Sequence, residues 1–291
     1  MKRILILGAT GNIGVEVIRF LYETITTNQI VAGVRNLDKA KEIFINYPKL
    51  EYVDFDFENP DTFEKSLKGI DRVFLLRPPH ISDVDTIIRP FITKMKELNI
   101  EEIIFLSVQG AEKSKVIPHN KIERLIIEFQ LNYIFIRPSY FMQNLTTTLI
   151  EDIKTKRSVC LPAGRAKFNW IDVGNIGEAG AILLNRFEEY KNHAFEITGL
   201  ENAGFEKVIS LINEVIQNPI QYINMNPFKF YGMKKREGME PGMIVVMILL
   251  HFLPGFQKEP MISDFYERLN GKKPTDLKTF IDREKSKFEK S

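Results

Sequence analysis

The sequence predicts an α/β fold with a doubly wound parallel sheet, followed by a smaller, mainly helical region. Three observations lead there. Short apolar runs alternate with amphipathic stretches from residue 3 to about residue 138, and no run is joined to the next by a two-residue hairpin turn. The first run is followed by Gly8, Gly11 and Gly14 at three-residue spacing.

Residues 4–7 are an unbroken apolar run, as a strand covered on both faces requires, and residues 15–22 after the glycines are amphipathic. The stretch therefore reads as strand, tight turn, helix. Residues 30–34 form a second strand, 37–46 a charged helix, 50–55 a third strand, 61–67 a short helix and 73–76 a fourth strand. Past Pro78 and Pro79 a long helix is expected over 84–98, then a fifth strand over 103–106. Residues 121–130 carry Ile122, Leu125, Ile126 and Phe129 at helical spacing, and 133–136 form a sixth strand.

Beyond Pro138 the rhythm changes. Residues 141–154 read as helix and 158–161 as strand. Asn175 with Glu178 three later gives the capping-box pattern of a helix running to about Arg186, followed by a strand over 194–198. From Phe205 onward the pattern is helices punctuated by prolines. The expected division is a first domain over 1–150 and a smaller region over 151–291 that partly completes the sheet.

The charge balance, 40 Lys and Arg against 38 Asp and Glu, gives a net +2 and no general field for nucleic acid or an anionic membrane. One cysteine, Cys160, excludes an internal disulfide and fits a reducing cytoplasm. The apolar run after Lys2 and Arg3 is too short for a signal peptide. Residues 243–253 are about half the ~20 residues of a membrane span. Four scattered His residues offer no metal-ligand spacing. Residues 164–170 mix basic and aromatic side chains, but Arg165 and Lys167 alone are too few to track phosphates, and the stretch reads as a loop entering a strand.

The glycines carry the chemistry. A backbone without Cβ at Gly8 and Gly11 lets a pyrophosphate approach the amides that open the helix, and Gly14 lets that helix lie close to the strand. Thr10, Asn12 and Ile13 complete this turn. The cofactor is chosen at the end of the second strand, where an acid would bond the ribose 2′-OH of NAD and a base would neutralise a 2′-phosphate. Val34 is followed by Arg35, so NADP(H) is expected, against the plainer reading of Arg35 as a solvated cation. Asp56, followed by Phe57, ends the third strand and is open to two roles, accepting from an adenine amino group or capping the next turn.

Gly8-Ala9-Thr10-Gly11-Asn12-Ile13-Gly14, Val34-Arg35, Gly69-Ile70-Asp71-Arg72-Val73 and Arg137-Pro138-Ser139-Tyr140-Phe141-Met142-Gln143-Asn144 together resemble the NmrA-like family of atypical short-chain dehydrogenases/reductases. Gly271-Lys272-Lys273-Pro274-Thr275 followed by Phe280 is similar to that family's C-terminal ending. The resemblance implies an NAD(P)-binding Rossmann domain. It also implies a role among NADPH-dependent quinone and triphenylmethane-dye reductases, isoflavone-reductase relatives or dinucleotide sensors that do not catalyse.

The wider superfamily carries Tyr-x-x-x-Lys after the fifth strand. Here, with Glu123 as the acid four places after that Lys, His119 falls on the Lys position and Lys115 on the Tyr position, so the dyad is absent. Ser107 matches the superfamily's Ser/Thr that orients a substrate carbonyl. His119 is open to donating a proton or bonding the ribose, against a plain turn or capping role, and Tyr140 to polarising an acceptor oxygen, against packing. Pro138 and Phe141 would wall the nicotinamide, and Leu76, Arg77 and Pro78 would pass over the cofactor.

The expected activity is hydride transfer from NADPH to a hydrophobic conjugated acceptor such as a quinone, which asks little of a protein acid. A non-catalytic NADP(H)-sensing regulator is the alternative, and a nucleotide-sugar epimerase a weaker one, since it needs the missing Tyr. Besides a small hydrophobic substrate, the expected partners are a second copy of the chain or another protein. Residues 243–253, with Tyr231, Met233 and Met239 before them, are open to three readings: pocket wall, core, or subunit contact.

Overall fold

The computed structural model describes residues 1–24 and 27–289. In chain order the elements are β1 (Arg3–Ile6), α1 (Asn12–Glu23), β2 (Gln29–Val34), α2 (Leu37–Ile43), β3 (Glu51–Asp54), α3 (Phe63–Leu67), β4 (Arg72–Leu75), α4 (Arg89–Glu97), β5 (Glu102–Leu106), α5 (Pro118–Glu128) and β6 (Asn132–Pro138). Then follow β7 (Tyr140–Phe141), α6 (Ile150–Lys156), β8 (Ser158–Leu161), β9 (Phe168–Ile171), α7 (Val173–Asn185), α8 (Phe187–Tyr190) and β10 (His193–Ile197). The remainder is β11 (Asn202–Ala203), α9 (Phe205–Asn213), β12 (Gln221–Asn224), α10 (Pro227–Arg236), α11 (Pro241–Phe252), α12 (Phe265–Asn270) and α13 (Leu277–Phe288).

The contacts gather into two units. The first comprises Met1–Pro138, Val173–Ile197 and Phe265–Lys272, and the second Ser139–Asp172, Thr198–Asp264 and Lys273–Ser291. Where the sequence suggests one boundary after residue 150, the chain thus leaves the first unit at Pro138 and returns to it twice. The reason lies in the sheet. β10 adds a parallel strand beside β6, and α12 then lays Phe265 against Phe195 with ring centroids 4.0 Å apart.

Among the described residues of the first unit, seven parallel strands run in the order β10-β6-β5-β4-β1-β2-β3. Consecutive strands step outward from β1 in one direction and then, from β4, in the other. That reversal opens a crevice at the carboxyl ends of β1 and β4, the usual ligand position in such sheets. The apolar runs read from the sequence are this unit's core. Leu5, Val73, Leu75, Ile103 and Phe105 are fully buried, and on one face they meet Phe91, Ile92 and Met95 of α4 and Ile122 and Ile126 of α5. α1 buries Ile13, Val17, Ile18 and Leu21 along one stripe and packs beside α7.

The second unit holds two small sheets, β11-β9-β7 and β12-β8, and its core is aromatic. Trp170 stands edge-on to Tyr140 and to Phe205, with centroids 4.8 and 5.3 Å apart. Lys234 of α10 is buried but paired with Asp152 of α6 at 2.6 Å, which offsets the cost of removing its charge from water.

Three local readings change. The helix expected over 141–154 is β7, a one-turn 3₁₀ helix over Met142–Leu145, and α6. Leu145, Leu149 and Ile153 are all buried at helical spacing, but the hydroxyls of Thr146 and Thr147 both bond the Gln143 carbonyl and compete with the helical ladder. The long helix over 84–98 begins with a wide π turn over Val84–Ile88, because Pro90 has no N–H for an α-helical bond. α7 starts two residues before Asn175, which therefore lies inside its first turn, buried, with its amide donating to Tyr266 Oη at 2.9 Å.

Candidate functional site

β1 passes into α1 through residues 8–14. Gly8 has φ of 64°, and a Cβ there would lie 2.9 Å from that of Leu76. At Gly14 a Cβ would lie 2.3 Å from the Gly8 carbonyl oxygen and 2.7 Å from the Ala9 Cα, so any side chain would force helix and turn apart. The Gly11 amide closes the turn on the Gly8 carbonyl at 3.0 Å. Gly11 then caps α1 in extended conformation, with no side chain bonding the helix's first amides.

The amides of Asn12, Ile13 and Gly14 have no partner within an α-helix, and they mark its positive end. Gly8, Thr10, Gly11 and Asn12 are exposed around them, while the side chain of Ile13 belongs to the core. The turn therefore offers backbone donors to an anion from a surface where a side chain would intrude. This is a cradle of the shape and charge a pyrophosphate needs.

At the end of β2, Arg35 is exposed and makes no hydrogen bond or ion pair among the described residues. Asn36 is occupied locally, accepting from the Lys39 amide at 2.9 Å as the cap of α2. The nearest acid downstream, Asp38, lies in the first turn of α2. Beyond β3, Asp56 Oδ1 accepts from the Glu58 amide at 3.0 Å, which is the turn-capping role. The ring of Phe57 is spent on the core, edge-on to Phe55 and Phe91 with centroids 4.7 and 5.6 Å apart.

After β4, Leu76 leans on Gly8, as its closeness to the missing Cβ records. Arg77 turns back on its own loop: Nη1 donates to the carbonyls of Pro78, Pro79 and Ile81 at 2.9, 3.0 and 2.5 Å. Its Nε is buried without a partner. Arg77 thus stiffens the loop and holds a cation near His119.

His119 sits in the first turn of α5, half-buried, its ring stacked on Phe105 at 6.1 Å. Burial, with Arg77 adding to it, pushes its pKa down to about 3. Burial thus favours the neutral ring at physiological pH, against the proton-donor role expected of His119 from the sequence. Lys115, on the dyad's other position, is exposed.

Ser107, at the end of β5, is buried, and its hydroxyl donates to Glu123 Oε1 at 2.6 Å. The same carboxylate takes two bonds from Arg137, Nε to Oε1 at 2.9 Å and Nη2 to Oε2 at 2.6 Å, while Arg137 Nη1 reaches Glu112 at 2.8 Å. The Ser107 hydroxyl hydrogen is thus engaged within the protein. This network escaped the sequence reading, although Glu123 and Arg137 were both visible as charges interrupting apolar stretches of a helix and a strand.

Pro138 ends β6 and is buried in the first unit. Tyr140 and Phe141 belong to the second, in β7 beside Trp170 and Ile171 of β9. Tyr140 Oη lies 2.9 Å from His251 Nε2, and His251 Nδ1 lies 2.7 Å from the Met247 carbonyl oxygen. A carbonyl only accepts, so the proton is on Nδ1, and Nε2 accepts from the Tyr140 hydroxyl. Burial raises the Tyr140 pKa far above its ordinary value and lowers that of His251 to about 4. His251 was a bystander within an apolar run in the sequence, and nothing in the local pattern pairs it with Tyr140.

Comparison with known proteins gives the family and the fold. Residues 8–159 match the NAD(P)H-binding family. The chain is 29% identical over 227 residues to prestalk A differentiation protein A of Dictyostelium discoideum, spanning 78% of this chain and 74% of that protein. It is 26% identical over 224 residues to the NAD(P)H azoreductase of Xenophilus azovorans, spanning 76% of each. The crystal structure of Citrobacter sp. triphenylmethane reductase complexed with NADP(H) superposes with a TM-score of 0.83 over 97% of this chain and 99% of that one, at 20% identity, and so shares the fold. Among the described residues no helix is long and apolar enough to cross a membrane.

Proposed function

The chain belongs to the NAD(P)H-binding family, and from that premise we propose that it is an NADPH-dependent reductase of a hydrophobic conjugated acceptor, such as a quinone or an azo or triphenylmethane dye. The observation that carries the cofactor half is the cradle at residues 8–14. Its uncapped helix and the absence of room for a Cβ at Gly8 and Gly14 suit a pyrophosphate. Arg35, exposed and unpaired among the described residues at the end of β2, supports a preference for the 2′-phosphate of NADP(H). Leu76 and Pro78 would cover the cofactor. Asp56 keeps an oxygen for the adenine, and Pro138 would bound the nicotinamide.

A reduced nicotinamide bound there supplies a hydride. What this chain supplies is orientation and little acidity. The Ser107 hydroxyl donates its hydrogen bond to Glu123, His119 is neutral, and in the second unit the Tyr140 hydroxyl donates to His251 with its pKa raised. An acceptor served by such residues must hold the incoming charge itself and draw its proton from water. Extended conjugation does that, whereas a simple ketone or a sugar carbonyl needs a protein acid. The same feature argues against epimerisation.

A second reading, a non-catalytic NADP(H)-sensing regulator, draws on the same committed hydroxyls, because a sensor needs no proton donor. Following NADPH absorbance with a panel of quinones, azo dyes and triphenylmethane dyes separates the two. The reductase reading expects consumption with at least one acceptor. Tight NADPH binding without consumption by any of them would overturn it in favour of the sensor.

A further inference from the structure

We propose that α11 is the two-fold interface of a homodimer, pairing antiparallel with the same helix of a second copy of the chain. Between Pro241 and Gln257 the sequence has no acidic residue, no Lys and no Arg. Its one ionisable side chain, His251, is buried against Tyr140. Only Ile244, Met247 and His251 of α11 are buried, so the inward stripe is narrow. The outward side is apolar as well. Val245, Val246, Leu249, Leu250 and Leu253 are between 44% and 56% exposed, and Phe256 in the following 3₁₀ turn is 77% exposed. A helix apolar on all sides belongs in a core or against a partner, and a contiguous patch of this kind marks an interaction surface.

The charges at the two ends of the run identify the partner. Glu240 immediately precedes α11, and Lys258 follows the 3₁₀ turn over Leu253–Phe256. Both are exposed, and neither forms an ion pair among the described residues. In the sequence they flank the uncharged run, with Leu249 midway between them. Antiparallel pairing about a two-fold axis at Leu249 sets Glu240 of each copy beside Lys258 of the other and runs the helix dipoles in opposition. Parallel pairing would set Glu240 against Glu240. A two-fold axis needs a self-complementary surface, and this one is self-complementary in both shape of pattern and charge. An anionic lipid surface would call for cations along the face, and residues 241–257 contain no Lys or Arg.

The test is the molar mass of the full chain by sedimentation equilibrium, with and without vesicles of phosphatidylserine. Twice the 33.8 kDa of the chain is expected, falling to the single mass in Leu249→Glu, which sets two carboxylates together on the axis. Glu240→Lys and Lys258→Glu should each weaken the dimer tenfold or more, and the double variant should restore it. This exchange involves exposed residues only and so stands apart from folding. A single mass at every concentration overturns the proposal, as does a dimer indifferent to all four variants. Capture of the monomer by vesicles, lost in Leu249→Glu, would assign the face to lipid instead.

Discussion

The Ser107 hydroxyl donates a hydrogen bond to Glu123 Oε1 across 2.6 Å, on a carboxylate that Arg137 already grips with two bonds. These bonds tie β5, α5 and β6 together through Ser107, Glu123 and Arg137. Ser107→Ala should therefore cost stability, about 1–3 kcal/mol for the buried acceptor left short of a donor. Turnover at saturating acceptor should fall less than tenfold. Thermal unfolding measured beside kcat checks the division; a stable variant with kcat down by a hundredfold or more would return Ser107 to catalysis.

His119 should leave no mark on the pH profile. Its pKa of about 3 lies below any working range, so kcat should show no ionisation near 6.5, and His119→Gln should not change the shape of the profile. An acid limb that rises as pH falls through 6.5, and vanishes in His119→Gln, would mean that the ring is protonated in use.

His251 should make the protein acid-sensitive. Its pKa is about 4 when folded against 6.5 when free, so the unfolded chain binds the extra proton between those values. Stability from this residue is full above pH 6.5, declines as pH falls toward 4, and changes no further below. The span amounts to about 3 kcal/mol for a fully buried ring. His119, depressed by burial in the same direction, adds to the slope. Urea unfolding at pH 7 and pH 5 should show a smaller difference in His251→Gln than in the parent; an equal difference would place the acid sensitivity elsewhere.

The glycines of the crossover should separate by what lies around them. Gly14→Ala drives a methyl into the Gly8 carbonyl and should lower both melting temperature and NADPH affinity. At Gly11 the Cβ would meet only the Gly8 carbonyl oxygen, at 3.3 Å, on the exposed side. Gly11→Ala should stay within about 1 kcal/mol of parent stability, the usual range for a tolerated site, while losing tenfold or more in affinity. Calorimetric titration of both variants gives the comparison.

The sheet was readable because its strands are uniformly apolar and its turns glycine-marked, so local pattern and tertiary role coincide. At Asn175 they part. The capping pattern is present, but the helix begins two residues earlier, and the Asn175 amide meets a tyrosine 91 residues away that only the fold brings near. The crossover was legible for a related reason, since its turn and helix start are built by backbone and glycines close in sequence. Ser107, His119 and Tyr140 were legible as positions and not as chemistry. Their protonation depends on Glu123, Arg77 and His251, partners supplied by other elements.

Isothermal titration of the parent chain and Arg35→Ala with NADPH and NADH bears most directly on the cofactor cradle and its guanidinium. A hydrogen bond to a charged group is worth about 1.5–3 kcal/mol, roughly a ten- to hundredfold preference for NADPH in the parent. Arg35→Ala should bring NADPH down to the NADH value and leave NADH unchanged. Equal weakening of both nucleotides by Arg35→Ala, or no binding of either to the parent, would contradict it.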